Sequence, residues 1–254
     1  MKIDRQFLKS DRWEEWRNQG TDQRRGLPAP PAQKPCPEAA RRVDLVAPED
    51  LTVGTMPVIE AIRRRRSYRK YTDEPLTLEE LSFLLWATQG VSEVLTGETS
   101  KIVPALRTVP SAGARHPFET YLLVNRVEGI DPGLYRYLPL DHQLCFLSAE
   151  AGLTEEVHEA SYGQYVRDSA VVFIWSVIPY RTEWRYTIVS PKLIAQDSGH
   201  LCQNLYLACE AIGAGTCAIG AYDQERMDLA LGMDGEEEFS IYVATVGKVS
   251  RTGR

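Results

Sequence analysis

The stretch KLIAQDSGHLCQNLYLACEAIGAGTCAIGAYD (residues 192–223) changes its periodicity part-way along, and that change sets the fold class. Leu201, Leu205, Ala208, Cys209 and Ile212 fall at helical spacing, so the first two-thirds predicts a helix over 192–213. Gly213 and Gly215 stop it. TCAIGAYD then reads as a short strand, with Asp223 as the cap of a following helix. The glycines therefore close a helix and precede a strand. A dinucleotide-binding GxGxxG turn does the reverse, following a strand and opening a helix. What this turn offers is backbone. With small side chains at Ala218, Gly220 and Ala221, residues 218–221 present N–H and C=O groups of the strand, Ile219 included, to a ligand edge.

Working outward, SIYVATVGK (240–248) and the nearly continuous apolar run AVVFIWSV (170–177) predict buried strands. ETYLLVNR (119–126) predicts another strand, and LYRY and LCFLS flank a turn at 139–142 as a hairpin. A polar helical segment covers 154–162. Upstream, TLEELSFLLWATQG carries a Thr77–Glu80 capping box, an apolar stripe of Leu78, Leu81, Leu84 and Leu85, and a terminating Gly90. Before it, Pro57 opens a helix with Val58, Ile59 and Ile62 on one face. Hairpin-like and crossover connections alternate, which predicts an α+β fold with helices around a central sheet. Residues 1–50 differ. A short helix near 11–17 precedes LPAPPAQKPCPE, whose prolines predict an extended connector lying on a partner subunit or on its own body. The compact domain is expected from residue 51 onward.

The chain has 254 residues and 43% hydrophobic content, ample for a large core. Its net charge of -6 disfavours a dedicated nucleic-acid binder. It has no apolar run of membrane-spanning length, and its N-terminus lacks the apolar core of a secretion signal. The five cysteines are odd in number and contain no CxxC pair, which argues against a disulfide framework or a zinc site and for a cytoplasmic home. Cys202 and Cys209, seven apart on the predicted helix, read as small core residues.

Against the acidic balance stands RRRRSYRKY (63–71), with six cations in nine residues. Three readings are open: a solvated helix C-terminus, a nucleic-acid grip, or a compact anion site. The rest of the chain adds no basic stripe, which weakens the second. For the third, Arg65, Arg66 and Ser67 could share one phosphate, with Arg69 reaching another acceptor of the same ligand. In VPSAGARHP (109–117), Pro110, Ser111, Ala112 and Gly113 leave the backbone open to a flat ligand, beside the donor pair Arg115 and His116.

RRSYRKY, PSAGARHPFE and GHLCQNLYLACEAIGAGTCAIGAYD, in this order, resemble the nitroreductase-like FMN flavoproteins. PSAGARHPFE and DSGHLCQNLYLA look most like the SagB-type dehydrogenase branch, related to thiazoline and oxazoline oxidases. The resemblance spans roughly residues 56–250. It implies a three-layer α/β/α sandwich with a mostly antiparallel central sheet, and an intertwined homodimer holding FMN at its interface. It implies ping-pong hydride transfer between NAD(P)H and a small nitroaromatic or quinone-like acceptor, with no nucleic acid, membrane or metal involved. Azoline oxidation in a modified peptide, and a non-enzymatic flavin-binding protein, are the alternatives. By position, Arg65, Arg66, Ser67 and Arg69 match the phosphate and pyrimidine contacts. Residues 110–113 match a loop from the partner, and 218–221 the strand facing the isoalloxazine. Lys248, Arg251 and Arg254 are the basic candidates after the last strand, and His116 or Tyr186 would deliver a proton. The azoline oxidases tend to carry a Lys-Tyr pair; the corresponding text here is Arg185 and Tyr186.

Overall fold

The computed structural model describes residues 5–250. Its elements in chain order are α1 (Trp13–Asn18), β1 (Arg42–Asp44), α2 (Val58–Arg64), α3 (Leu78–Gln89), β2 (Val91–Val94), β3 (Ala105–Arg107) and β4 (Phe118–Val124). There follow β5 (Gly133–Leu138), β6 (Gln143–Ser148), α4 (Leu153–Ala160), β7 (Val171–Val177), α5 (Tyr180–Tyr186), α6 (Ser190–Ala211), β8 (Ala214–Ile219), α7 (Gln224–Ala230) and β9 (Phe239–Lys248). Seven strands form one sheet in the order β1-β6-β5-β4-β7-β9-β8, and each ladder between neighbours is antiparallel. The short ribbon β2–β3 was not legible in the loop-rich text between 91 and 118.

Alternation along the strands assigns each side chain to one of two cores. On β7, Phe173 and Trp175 join a cluster with Leu84 and Leu85 of α3 and Leu201 and Leu205 of α6. Val172 and Ile174 point the other way, to Val157 of α4 and Met227 of α7. Burial on both faces explains why AVVFIWSV is apolar throughout although its partners run antiparallel. The capping box of α3 forms as expected, with Thr77 accepting from the Glu80 amide and Glu80 accepting in return. Among the described residues no helix is long and apolar enough to cross a membrane.

Two expectations change. The α2 residues Val58, Ile59 and Ile62 share a face, but that face is exposed, at 65%, 54% and 58%, while Ala61 is the buried residue of the helix. Periodicity shows that a stripe exists, not which side of it meets the core. The cysteine count also misleads: Cys36 and Cys145 form a disulfide across 109 residues, leaving Cys202, Cys209 and Cys217 as buried free thiols. No local pattern in the text could reveal a pair that the fold alone brings together, and the count no longer argues for a reducing compartment.

The disulfide fastens the proline-rich segment to its own body. Arg107 donates to the Ala32 carbonyl at 2.8 Å, Arg136 to the Pro35 carbonyl at 2.6 Å, and the Lys34 amide to Glu119 at 2.8 Å. The Lys34 ammonium pairs with buried Glu238. Residues 42–44 then add β1 to the edge of the sheet. Because the crosslink closes a long loop in the unfolded chain, Cys36→Ser is expected to lower stability by about 2–4 kcal/mol. Urea melts would show the loss without reductant, and excess dithiol should bring the parent chain down to the variant.

Candidate functional site

The arginine segment leaves α2 at Arg65, the helix C-cap, and lies across β8 and β9. Ser67 bridges Thr216 in parallel, the Tyr68 amide donates to the Thr216 carbonyl at 3.0 Å, and the Thr72 amide to the Lys248 carbonyl at 2.9 Å. The Tyr71 hydroxyl meets Thr245 Oγ1 at 2.8 Å. The segment can lie so close because Gly215 and Gly247, a cross-strand pair, lack side chains. A Cβ on Gly215 would meet the Tyr68 ring at 2.6 Å, and one on Gly247 the Tyr71 ring at 2.9 Å.

The cations then divide. Arg63 and Arg64 are exposed, and Arg64 pairs with Glu60 one turn back at 3.4 Å. Arg66 folds onto its own backbone, donating to the carbonyls of Arg63 (3.1 Å) and Arg65 (2.8 Å), where it closes the end of α2. Arg65 lies over the ring of Tyr206, 5.3 Å from its centroid. Ser67 Oγ meets the Tyr206 hydroxyl at 3.0 Å, and the Ala218 amide donates to that same hydroxyl at 3.0 Å. Arg69 reaches back to Cys217 of β8, where its charge opposes the upward push of burial on the thiol. Past Ala218, Ile219 is buried in the second core while Gly220 and Ala221 are exposed, so the strand end shows backbone rather than side chain. The structure thus gathers Arg65, Ser67 and Ala218 around Tyr206, with Arg69 at the neighbouring Cys217, while Ile219, Gly220 and Ala221 continue the strand beyond them. Tyr206, which joins them, was missed because a tyrosine in an apolar helical stripe reads as core.

Residues 110–113 sit elsewhere. Asp197 of α6 accepts from Ser111 Oγ at 2.6 Å and from the Ala112 amide at 3.0 Å, and Ser111 Oγ accepts from the His116 amide at 2.9 Å. Burial pushes the Asp197 carboxyl up, and the two donors from the loop oppose that push. Gly113 takes φ 58°, and a Cβ there would lie 2.7 Å from the Tyr186 hydroxyl. Tyr186 in turn stacks on Trp16 of α1 at 6.0 Å. Asp197 and Tyr206 are nine residues apart on α6, which means about 13 Å along the axis and half a turn in rotation. Within one protomer, therefore, the loop and the arginine site lie on opposite sides of that helix.

The nitroreductase family model matches residues 62–248, from the end of α2 to the end of β9. The chain belongs to the nitroreductase family. Among its relatives, a protein of Methanocaldococcus jannaschii named as a nitroreductase is 34% identical over 181 residues, covering 68% of this chain and 87% of its own. The trifolitoxin-processing protein TfxB of Rhizobium leguminosarum is 29% identical over 138 residues, 52% of this chain and 36% of its own, a likeness that sides with the SagB-type branch. In fold, the chain superposes on a Ralstonia eutropha nitroreductase with TM-score 0.65 at 23% identity, over 88% of this chain and 97% of the other. A Desulfovibrio desulfuricans nitroreductase solved with FMN gives 0.52 at 20% identity, over 78% and 90%.

In this nitroreductase-family chain the remaining candidates sit as follows. Lys248 is turned inward, its ammonium paired with buried Glu80 and donating to the Ile212 carbonyl at 3.3 Å. Arg251 and Arg254 lie outside the described residues. Arg115 is buried, donating to the carbonyls of Arg181 (3.0 Å) and Ile102 (2.6 Å), and burial brings its guanidinium down to about 10. His116 is 6% exposed, and burial next to Arg107 and Arg115 pushes its imidazole down to about 3. Below pH 6.5 the unfolded chain binds a proton that the folded chain refuses until about pH 3. The neutral imidazole's contribution is thus complete above that range and is lost as pH falls through it, by up to about 1.4 kcal/mol per pH unit. His116→Asn, which tolerates the φ of 44°, should flatten the acid decline between pH 6.5 and 4. Urea melts of the two proteins across that range would show the difference.

Proposed function

We propose that the chain is an FMN-dependent oxidoreductase working as a homodimer, with NAD(P)H as donor and a small nitroaromatic or quinone-like acceptor in a ping-pong cycle. One observation carries the reading: Arg65 and the Ser67 hydroxyl meet Tyr206, which takes the Ala218 amide, and Arg69 reaches Cys217, so the donors line the end of β8, where the chain runs on into the exposed Gly220 and Ala221. This donor set suits a flavin mononucleotide, whose phosphate needs charged donors and whose ring accepts contact with bare backbone. Nothing lies within 4 Å of a Cβ on Gly220, so the approach is open. Arg65 and Ser67 would hold the phosphate and Arg69 the pyrimidine end. Arg66, which closes its own helix, supports the segment instead.

A two-fold partner supports the rest. The 110–113 loop cannot join the arginines of its own chain across α6, whereas a second copy can supply it. The exposed Val58, Ile59 and Ile62 of α2 give such a copy an apolar face to cover. Bound FMN supplies two-electron chemistry, and the side chains position its partners. Asp197 fixes the loop that would face the ring. His116, buried and neutral, holds that loop from behind. Tyr186, whose hydroxyl touches the loop at Gly113, is the better placed proton donor.

The TfxB likeness favours a second reading, azoline oxidation in a modified peptide, with Arg185 and Tyr186 standing where the azoline oxidases tend to carry Lys-Tyr. An absorbance spectrum of the purified protein followed by NAD(P)H titration tests the first. A yellow protein that releases FMN on denaturation and bleaches with NAD(P)H supports it. Flavin retained without NAD(P)H oxidation points to the peptide substrate or to a binding protein. A colourless protein that takes up no added FMN overturns the flavin reading.

A further inference from the structure

We infer that Tyr206 is a positioning residue that aims the Ser67 hydroxyl at the cofactor phosphate. The inference rests on the flavin reading above, and begins with hydrogen-bond direction. The Ala218 amide can only donate, and it donates to the Tyr206 hydroxyl at 3.0 Å. The phenolic hydrogen then needs an acceptor, and Ser67 Oγ lies at 3.0 Å. A Ser67 oxygen that accepts from Tyr206 keeps its own hydrogen free to donate outward. The result is a chain of donors running from the Ala218 amide through Tyr206 to Ser67 and ending at the site. Each link polarises the next. The same ring carries Arg65 on its face at 5.3 Å, so one side chain orients both phosphate donors. Tyr206 is able to do this because it stands on α6, which packs against both α2 and β8.

Phenylalanine at this position keeps the ring, and with it the stack under Arg65, but removes the hydroxyl. The full-length chain stripped of flavin would be titrated with FMN and with riboflavin, which lacks the phosphate, following quenching of flavin fluorescence. Ser67→Ala should weaken FMN binding about tenfold, the loss of one charge-assisted hydrogen bond. Tyr206→Phe should weaken it roughly three- to tenfold by leaving the serine hydrogen unaimed. Riboflavin binding should stay within twofold of the parent in both. Since Tyr206 acts through Ser67, the double variant should bind FMN no more weakly than Ser67→Ala alone. The inference fails if Tyr206→Phe binds FMN as the parent does, if riboflavin weakens equally, or if the two substitutions add. A parent chain that binds neither flavin sinks the flavin reading itself, a distinct result.

Discussion

Arg65→Ala and Arg69→Ala are each expected to weaken FMN binding by roughly 10- to 100-fold, while Arg63→Ala stays within about twofold. The contrast follows from where the segment turns. Arg63 is an exposed position inside α2. Arg65 begins the extended stretch and is held over Tyr206, so little side-chain freedom remains to be lost on binding. Arg69 stands beside Cys217 at the strand that ends in open backbone. Arg66 provides the internal control. Its guanidinium is committed to the carbonyls of Arg63 and Arg65, so Arg66→Ala should fray α2 and leave flavin affinity near the parent value. Fluorescence titration of the four variants checks this. Equal losses at all four would make the cluster a general basic patch.

The second large effect is on stability, at Glu119. This carboxylate is 2% exposed and meets Arg181 at 2.5 Å, Arg136 at 3.7 Å and the Lys34 amide at 2.8 Å. Its removal would leave two buried guanidiniums without their counter-charge. Glu119→Gln is expected to cost about 3–5 kcal/mol, read as a lower urea midpoint at unchanged slope. Because the same oxygen accepts from Lys34, proteolysis within residues 28–36 should quicken as well. A loss below about 1 kcal/mol would mean that the proline-rich segment is held by its crosslink alone.

The elements that the sequence made plain are those whose signal is local. The Thr77 capping box, the Asp223 cap and the two periodicities of 192–223 each need only a few neighbouring residues to be read. What stayed hidden depends on contacts distant in sequence. Nothing in LPAPPAQKPCPE names Cys145 or Glu119 as its partners. The same holds within the site. Arg65, Ser67 and Ala218 were legible, and the structure brings them together at Tyr206. Asp197 and Tyr206, which hold the two halves in place, lie in a helix whose pattern reads as packing. An acid four residues before Leu201, in line with the apolar stripe, was the one available clue, and Asp197 is indeed buried. For His116, the residue type suggested acid–base chemistry, whereas burial, with Arg107 and Arg115 adding to it, disfavours the charged form.

The course of the arginine segment along β8 bears on self-association in concentrated solution. An outermost strand with free amides and carbonyls is a template on which another molecule can add its own strand, the first step towards aggregates. Here the first half of β8 is already taken, by Ser67 and Tyr68 at Thr216. Beyond it only the few residues around Gly220 stand open, too short a run to hold a foreign strand. At the far side of the sheet the outermost strand is the three-residue β1, flanked by the charges of Arg42 and Asp44. The basic stretch that first suggested a polyanion partner thus also blocks strand-by-strand addition of further chains at this edge of the sheet.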